Sequence, residues 1–216
     1  TGSLTVGNVE IFKLLLNKLD IPKRWRLRLQ RHFWREKYFN DLLKRLETNS
    51  DVDPTIVEID KKRYQKMLNK DKSSIIAGRS IEEILSRFDN KIKDPRRTSK
   101  GKNVSKIIKD FLKIKCQLSK LEKTLNNFIE KNQLNRNVFK DLSSLKNLAR
   151  FNSKMIFSTN FGRDIEYYSG VVFEIYNSSK KEIARGGRYD SLLKNLGSKT
   201  NISAVGAAIN LNNLNT

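Results

Sequence analysis

The spacing of apolar residues changes once along this chain, near residue 150, and this change restricts the folds it can adopt. From about Lys23 to Arg150, apolar residues recur three or four positions apart, as Trp25, Leu29 and Phe33 do, and this spacing predicts helices. Beyond that point come short segments rich in β-branched and aromatic residues, separated by polar or glycine-containing turns. Such segments are typical of an antiparallel sheet.

The start of the chain contributes to the same sheet. The residues "SLTVGNVEIFKLLLNKL" predict a short strand followed by a helix. Strands are predicted again at "KMIFSTNF", "IEYYSGVVFEIY", "EIARG" and "AVGAAINL". The predicted fold class is therefore α+β, an antiparallel sheet with flanking helices and a helical insertion. We expect residues 1–22 and 151–216 to form the core and residues 23–150 to form the mainly helical insertion.

Two local patterns refine the helical part. The stretch "KRWRLRLQRHFWREK" predicts one strongly basic helix over residues 23–37. The spacings from Ser80 to Glu83 and from Ser119 to Glu122 each match a capping box, in which serine and glutamate satisfy free amides at a helix start.

Composition limits the possible chemistry. The chain of 216 residues is 38% hydrophobic, enough to bury a core, and it carries one cysteine and one histidine. Cys116 has no partner for an internal disulfide, and His32 alone cannot build a histidine pair or a multi-histidine metal site. We see no transmembrane run and no signal peptide, so we expect a cytoplasmic protein with no metal, no cofactor and no membrane partner.

The charge balance leaves two interpretations open. Lys and Arg total 44 against 23 Asp and Glu, a net charge of +21. Such a charge suggests an anionic partner, either nucleic acid or an acidic protein face. The lysines are nevertheless scattered, as in proteins encoded by AT-rich genomes, so no specific nucleic-acid partner is expected. The arginines of residues 23–37 are either a solvated face or a docking surface for an acidic partner.

The stretch "GRDIEYYSGVVFEIY" mixes charges and tyrosines into what is otherwise a buried strand. A charge on a central strand needs a partner, and Arg163 is suited to clamp a carboxylate. In a regular strand Tyr167 and Tyr168 point to opposite faces, so at most one of them would share the face of Arg163 unless the strand is bent. The glycine pair Gly186 and Gly187 permits close approach of a ligand to the backbone. The residues alone leave both a small-molecule pocket and an internally satisfied polar strand open.

Three ordered motifs, "RDIEYYSGVVFE", "GGRYDSLL" and "AVGAAINL", resemble the C-terminal half of the histidyl-tRNA synthetase catalytic core. The resemblance implies a class II aminoacyl-tRNA synthetase-like fold. It also implies that Arg163, Tyr167 and Tyr168 line a histidine pocket. By the same resemblance, four residues support that pocket: Glu166, Gly186, Gly187 and Arg188.

The chain departs from the synthetase pattern where ATP would bind. The third class II motif normally ends in Gly-Leu-Glu-Arg, and here Asn210, Leu211, Asn212 and Asn213 stand in its place. An asparagine cannot offer a charged fork to a triphosphate. In addition, Glu166 replaces the usual aspartate, and the chain leaves no room for an anticodon-binding domain. Aminoacylation is therefore not expected, and we assign no catalytic residue.

A protein with the histidine signature but without the ATP arginine resembles the regulatory subunit of ATP phosphoribosyltransferase. The segment from "LTVGNVEIF" to "RHFW" is also similar to the short form of that family, with Asn8 in place of an aspartate. Since the first two class II motifs would lie upstream, we expect the chain to be the C-terminal portion of a longer or shortened protein.

This resemblance implies a function in histidine biosynthesis by allosteric regulation. The expected partners are the short-form catalytic subunit, L-histidine as effector, and a second copy in a homodimer within the hetero-oligomer. Two alternatives remain, a divergent histidyl-tRNA synthetase and a tRNA- or RNA-binding paralogue of one.

Overall fold

A six-stranded sheet, a two-stranded sheet and a series of helices make up the described fold. The computed structural model describes residues 2–50, 56–70, 75–93, 96–139, 142–151, 154–162 and 167–214. The strands are β1 (Ser3–Asn8), β2 (Ile75–Ile76), β3 (Arg79–Ser80), β4 (Lys115–Gln117), β5 (Ile156–Ser158), β6 (Val171–Tyr176), β7 (Glu182–Arg188) and β8 (Val205–Ile209). The helices are α1 (Val9–Lys18), α2 (Lys23–Arg31), α3 (Glu36–Thr48), α4 (Ile56–Leu68), α5 (Ile81–Lys93), α6 (Gly101–Leu112), α7 (Leu121–Lys131), α8 (Ser143–Phe151) and α9 (Leu192–Asn195).

The main sheet runs in the order β4-β5-β1-β6-β7-β8. Strands β1 and β5 pair in parallel, and the other pairings in the described part of the sheet are antiparallel. The predicted α+β class with an antiparallel sheet is therefore confirmed. The sequence did not predict β4, which joins the sheet by pairing with β5.

Strand β1 leads directly into α1 because Asn8 ends the strand and caps the helix. Its backbone is extended, and its side-chain oxygen accepts a hydrogen bond from the Glu10 amide at 2.9 Å. The helix then buries Phe12, Leu15 and Leu16 at helical spacing, together with Ile11.

By its contacts the chain divides into two units, residues 1–19, 30–39 and 106–216 in the first and residues 20–29 and 40–105 in the second. The first unit contains the sheet and a core of packed aromatic rings. Phe12 stacks on Phe33 with ring centroids 4.0 Å apart and meets Phe39 and Phe111 at 5.6 and 6.1 Å. The predicted insertion at residues 23–150 stays a prediction.

The predicted basic helix over residues 23–37 is interrupted. Helix α2 ends at Arg31, and a turn follows in which the Phe33 amide bonds to the Gln30 carbonyl and the Arg35 amide to that of His32. The turn places the Phe33 ring in the aromatic core of the first unit. Burying this ring stabilises the fold more than a continued helix would. The His32 ring packs edge-on against the Tyr38 ring, with centroids 4.8 Å apart.

The two predicted capping boxes have different outcomes. At the start of α5, the Glu83 amide donates to Ser80 Oγ and the Ser80 amide donates to the Glu83 carboxylate, each at 3.2 Å, so this box is confirmed. At α7 the prediction is wrong. Ser119 lies inside a 3₁₀ turn, Leu118–Lys120, and the N-cap is Lys120 without a side-chain hydrogen bond, because the backbone already turns before α7 begins.

Replacing Ser80 with alanine is expected to destabilise the protein by about 1 kcal/mol, since the first-turn amide of α5 loses its acceptor. The shift of the urea unfolding midpoint measures this loss. Ser86→Ala is the matched control, because Ser86 is exposed in the interior of the same helix, where alanine is the better helix former. Equal effects of the two substitutions would contradict a stabilising cap.

Strand β8 forms one edge of the described sheet. It pairs with β7 along its whole length, yet all five of its residues are exposed, and Val205 and Ile209 are 76% and 60% accessible.

In the described ranges, no helix is both long enough and apolar enough to cross a membrane.

Candidate functional site

A row of small residues crosses the sheet and leaves space for aromatic rings on one of its faces. Gly7, Val172, Gly187 and Gly206 are direct partners across β1, β6, β7 and β8, so they share one face of the sheet. A Cβ atom on Gly187 would lie 2.8 Å from Cε1 of the Tyr168 ring. Glycine at this position therefore allows the Tyr168 ring to lie directly on the strand.

Three tyrosines cluster over this glycine floor. The Tyr167 ring meets the rings of Tyr168 and Tyr189 edge-on, with centroids 4.9 and 5.8 Å away. The Tyr189 hydroxyl lies 2.6 Å from where a Cβ of Gly206 would stand. Burial raises the pKa of the Tyr168 phenol, and its neighbour Tyr167 raises it further, so Tyr168 is a neutral hydrogen-bonding group at physiological pH.

The sequence predicted opposite faces for Tyr167 and Tyr168 only if a regular strand runs through both residues. That condition is not met, since β6 begins only at Val171. Residues 167–170 lie outside the strands, and the two tyrosine rings meet edge-on. Both tyrosines are thus available to one ligand.

A charged network adjoins the tyrosines on the same face. Glu174 and Arg185 are cross-strand partners two positions along from Val172 and Gly187. The Arg185 guanidinium lies 3.6 Å from Glu174 and donates from Nε to both oxygens of Glu182, at 2.9 and 3.0 Å. The bond to Glu182 raises the pKa of Arg185 above its usual value.

The Tyr176 hydroxyl completes this network. It donates to Glu174 at 2.8 Å, and this bond raises the pKa of the phenol. Glu174 is therefore internally paired, which is the outcome that the polar-strand interpretation of the sequence anticipated.

Arg188 lies on the opposite face from Gly187, because neighbouring residues on a strand alternate. Its Nε donates to both oxygens of Asp190, at 2.9 and 2.8 Å, and this pairing lowers the pKa of the aspartate. The Ser169 amide donates to the Arg188 carbonyl at 2.8 Å, and the Ser169 hydroxyl donates to Asp190 at 3.1 Å. These bonds hold the segment carrying the tyrosines against β7, without bringing the Arg188 side chain onto the tyrosine face.

Two predicted site residues, Arg163 and Glu166, lie outside the described residues. The residue before them, Gly162, has φ +80, and a Cβ there would overlap Val172 Cγ2 at 2.1 Å. The segment entering the predicted carboxylate clamp thus requires glycine. Gly186, the other predicted glycine, faces away from the tyrosines, where a Cβ would meet the Gly206 carbonyl oxygen at 2.4 Å and the Phe173 ring at 2.9 Å.

The sequence interpretation missed Arg185 and Tyr189 as site residues. The signal was present, since residues 185, 187 and 189 are separated by two and share one face if β7 is regular. Gly206 was also missed, because its pairing with Gly187 depends on the register between β7 and β8.

Asn213, which the resemblance aligns with the ATP-binding arginine of the synthetases, takes part in the backbone scaffold. Its side-chain amide donates to the Glu182 carbonyl at 2.7 Å, and its own carbonyl accepts from the Asn177 side chain at 3.1 Å. The Asn213 side chain therefore ties the turn after β8 to the start of β7.

The arrangement is suited to binding a small planar ligand. Three phenol rings offer aromatic edges and hydroxyls beside a network of two carboxylates and one guanidinium. Among the described residues, no three His, Cys, Asp or Glu side chains are grouped to hold a metal ion.

Curated relatives of this chain are described as regulatory subunits of ATP phosphoribosyltransferase. In Brucella anthropi, a protein described as ATP phosphoribosyltransferase regulatory subunit is 30% identical over 230 residues, covering 98% of this chain and 61% of the relative. A protein of the same description from Allorhizobium ampelinum is 26% identical over 224 residues, covering 96% and 60%. The chain thus spans about three fifths of the length of the curated relatives it matches.

A solved structure from Bacillus halodurans, described as an ATP phosphoribosyltransferase regulatory subunit/histidyl-tRNA synthetase, aligns with a TM-score of 0.49 and 17% identity, covering 98% of this chain and 42% of that one. A sequence model of the family described as Histidyl-tRNA synthetase matches residues 1–214, nearly the whole chain. With the six-stranded sheet and the tyrosine cluster in place, this match shows that the chain belongs to the histidyl-tRNA synthetase family.

Proposed function

We propose that this chain is part of a non-catalytic regulatory subunit of ATP phosphoribosyltransferase, acting in histidine biosynthesis. The descriptions of the relatives from Brucella anthropi and Allorhizobium ampelinum support this assignment over a synthetase.

The observation that carries the proposal is the placement of Asn213. A synthetase needs a cation at this point to hold the ATP phosphates, and the Asn213 amide instead bonds to the Glu182 carbonyl at 2.7 Å. The position thus serves the fold, while the tyrosine cluster lies at the other end of β7, over Gly187 and Gly206. A ligand pocket that has lost its ATP clamp is suited to sensing an amino acid and not to activating it.

We propose histidine as the ligand of that pocket. Its imidazole would lie beside the rings of Tyr167 and Tyr168, with Gly187 beneath the Tyr168 ring and Tyr189 closing one side. Arg163 would take the carboxylate, as the family resemblance implies. Glu166, Gly186 and Arg188 would support the pocket, Arg188 by holding Ser169 and Asp190.

The proposed partner is the short-form catalytic subunit of ATP phosphoribosyltransferase. Bound histidine would favour an inactive arrangement of the complex, and a coupling of about 1 to 3 kcal/mol is typical of such regulation. By linkage, ligands of the active catalytic subunit would weaken histidine binding by the same factor. We also propose that two copies of the regulatory subunit form a dimer within the complex.

Reconstitution of the complex tests the proposal. The full-length protein is mixed with a short-form catalytic subunit, and ATP phosphoribosyltransferase turnover is measured with and without histidine. We expect turnover to rise on mixing and to fall when histidine is added. A catalytic subunit that is indifferent to this protein would contradict the proposed function.

The two alternatives give different results. A divergent histidyl-tRNA synthetase would catalyse histidine-dependent exchange of pyrophosphate into ATP. An RNA-binding paralogue would bind tRNA selectively at nanomolar concentration and physiological salt, whereas simple charge attraction would fade steeply as salt is added.

A further inference from the structure

The second unit contains a cleft of about 550 Å³ that the proposed histidine site does not use. It lies between the start of α2 and the loop before α6. Its walls are formed by Asp20, Ile21, Pro22, Lys23, Arg26, Arg97, Thr98, Ser99 and Lys100.

The cleft is strongly cationic. Its described lining carries four cations, Lys23, Arg26, Arg97 and Lys100, against one carboxylate, Asp20, which leaves a net charge of +3. Lys100 hydrogen-bonds to Asp20, and this bond lowers the pKa of the aspartate below its usual value. Cations that converge on one concavity attract an anion more strongly than the same charges spread over a convex surface.

One wall of the cleft is fixed by hydrogen bonds from buried and capping groups. The indole nitrogen of Trp25, a residue with no exposed surface, donates to the Arg96 carbonyl at 2.5 Å. The Asn49 side chain clamps Thr98, accepting from its amide at 3.1 Å and donating to its carbonyl at 3.0 Å. The Lys100 amide donates to the Thr98 hydroxyl at 3.1 Å. A loop held in this way presents its cations with little ordering left to occur on binding.

Gly101 continues the same wall. A Cβ on this residue would lie 2.0 Å from the Leu46 carbonyl oxygen, so the loop approaches the end of α3 as closely as glycine permits. The backbone of the loop is thus confined on two sides, by Asn49 and by Leu46, both in the second unit.

The lining also identifies the class of ligand. The volume lies within the range of about 300 to 1,000 Å³ that is usual for small-molecule sites. Guanidinium forks and ammonium groups, with the hydroxyls of Thr98 and Ser99, match the oxygens of phosphate groups. The described residues of the lining include no aromatic side chain on which a base would stack, and their apolar part is Ile21 and Pro22. We infer that this cleft binds the di- or triphosphate group of a small phosphorylated ligand and recognises its phosphates, not its base.

Calorimetric titration of the 216-residue chain with inorganic pyrophosphate tests this inference. We expect one binding site, and we expect Arg26→Gln combined with Arg97→Gln to weaken it at least about tenfold, since charged hydrogen bonds are lost. The matched control is Arg79→Gln combined with Arg87→Gln. These two arginines are exposed in the same unit and outside the cleft, and their removal changes the net charge equally. The control is expected to change the affinity less than about twofold, as distant exposed charges are screened.

A second measurement needs no substitution. Pyrophosphate added to the unchanged chain should shift the amide NMR resonances of Thr98, Ser99 and Lys100, and ATP should bind with a similar affinity because its base contributes little. Equal weakening in both double variants would overturn the inference, since it would mean attraction by net charge alone. Binding of a short RNA without binding of pyrophosphate, or no response at these three amides, would also overturn it.

Discussion

Replacing Tyr168 with alanine is expected to abolish inhibition of the proposed complex by histidine while leaving activation of the catalytic subunit largely intact. Tyr168 lies on the glycine floor and contacts Tyr167, so truncation opens the proposed imidazole site. Loss of such an aromatic contact costs about 2 kcal/mol or more, which raises the histidine concentration for half-inhibition at least about thirtyfold. Turnover of the reconstituted complex, measured over a histidine series, gives this value.

A methyl group placed beneath the Tyr168 ring provides a second test of the same site. In Gly187→Ala the new Cβ would stand 2.8 Å from the Tyr168 ring and 2.9 Å from the Val171 carbonyl oxygen, so the ring must move although its phenol is retained. Tyr64→Ala is the control, because Tyr64 is a half-buried tyrosine of the second unit. Arg163→Ala is expected to act as Tyr168→Ala does. If the Tyr168, Gly187 and Arg163 variants all keep normal histidine inhibition, the feedback site lies elsewhere.

No histidine-dependent exchange of pyrophosphate into ATP is expected from the full-length protein. The side chain of Asn213 carries no charge and bonds to the Glu182 carbonyl, so it leaves the nucleotide phosphates without their arginine. Loss of a charged partner of this kind costs about 2 to 5 kcal/mol, or about 30- to 5000-fold in rate. The assay compares labelled pyrophosphate exchange with that of a histidyl-tRNA synthetase at equal concentration.

A variant with arginine restored at position 213 can be compared with the unsubstituted protein. Asn213→Arg returns a cation but removes the bond from Asn213 to Glu182 that ties the turn after β8 to β7. We therefore expect pyrophosphate exchange to stay far below that of the synthetase. We also expect the free energy of unfolding to fall by about 1 kcal/mol, because one hydrogen bond is lost. Robust exchange by the unsubstituted protein would favour the synthetase alternative.

Periodicity was sufficient to predict much of the fold. The change of spacing near residue 150 marks the boundary between the mainly helical part of the chain and the four strands β5, β6, β7 and β8. Asn8 lies where β1 passes into α1. Strand β4 was missed because its three residues, Lys115–Gln117, are too few to show an alternation. The break after Arg31 was missed because it depends on where the Phe33 ring packs, a tertiary contact that helical spacing does not encode.

The candidate site was predictable to a similar extent. Motif resemblance identified Tyr167, Tyr168 and Gly187, which the structure brings together. It did not identify Arg185 or Tyr189, whose positions follow from the register of β7, a property of strand pairing rather than of local sequence. The cationic cleft was also beyond prediction, because Lys23 and Lys100 lie far apart in the chain and meet only through the tertiary fold.

The exposed strand β8 has a colloidal consequence for the isolated polypeptide. An edge strand with accessible valine and isoleucine side chains is a template on which another strand can add, and native proteins usually protect such edges. Here the net charge of +21 supplies the protection, by long-range repulsion between molecules. The range of that repulsion falls to about 8 Å at physiological ionic strength. Salt therefore has opposite effects on this chain: it weakens the capture of anions and it promotes aggregation along the edge of the sheet.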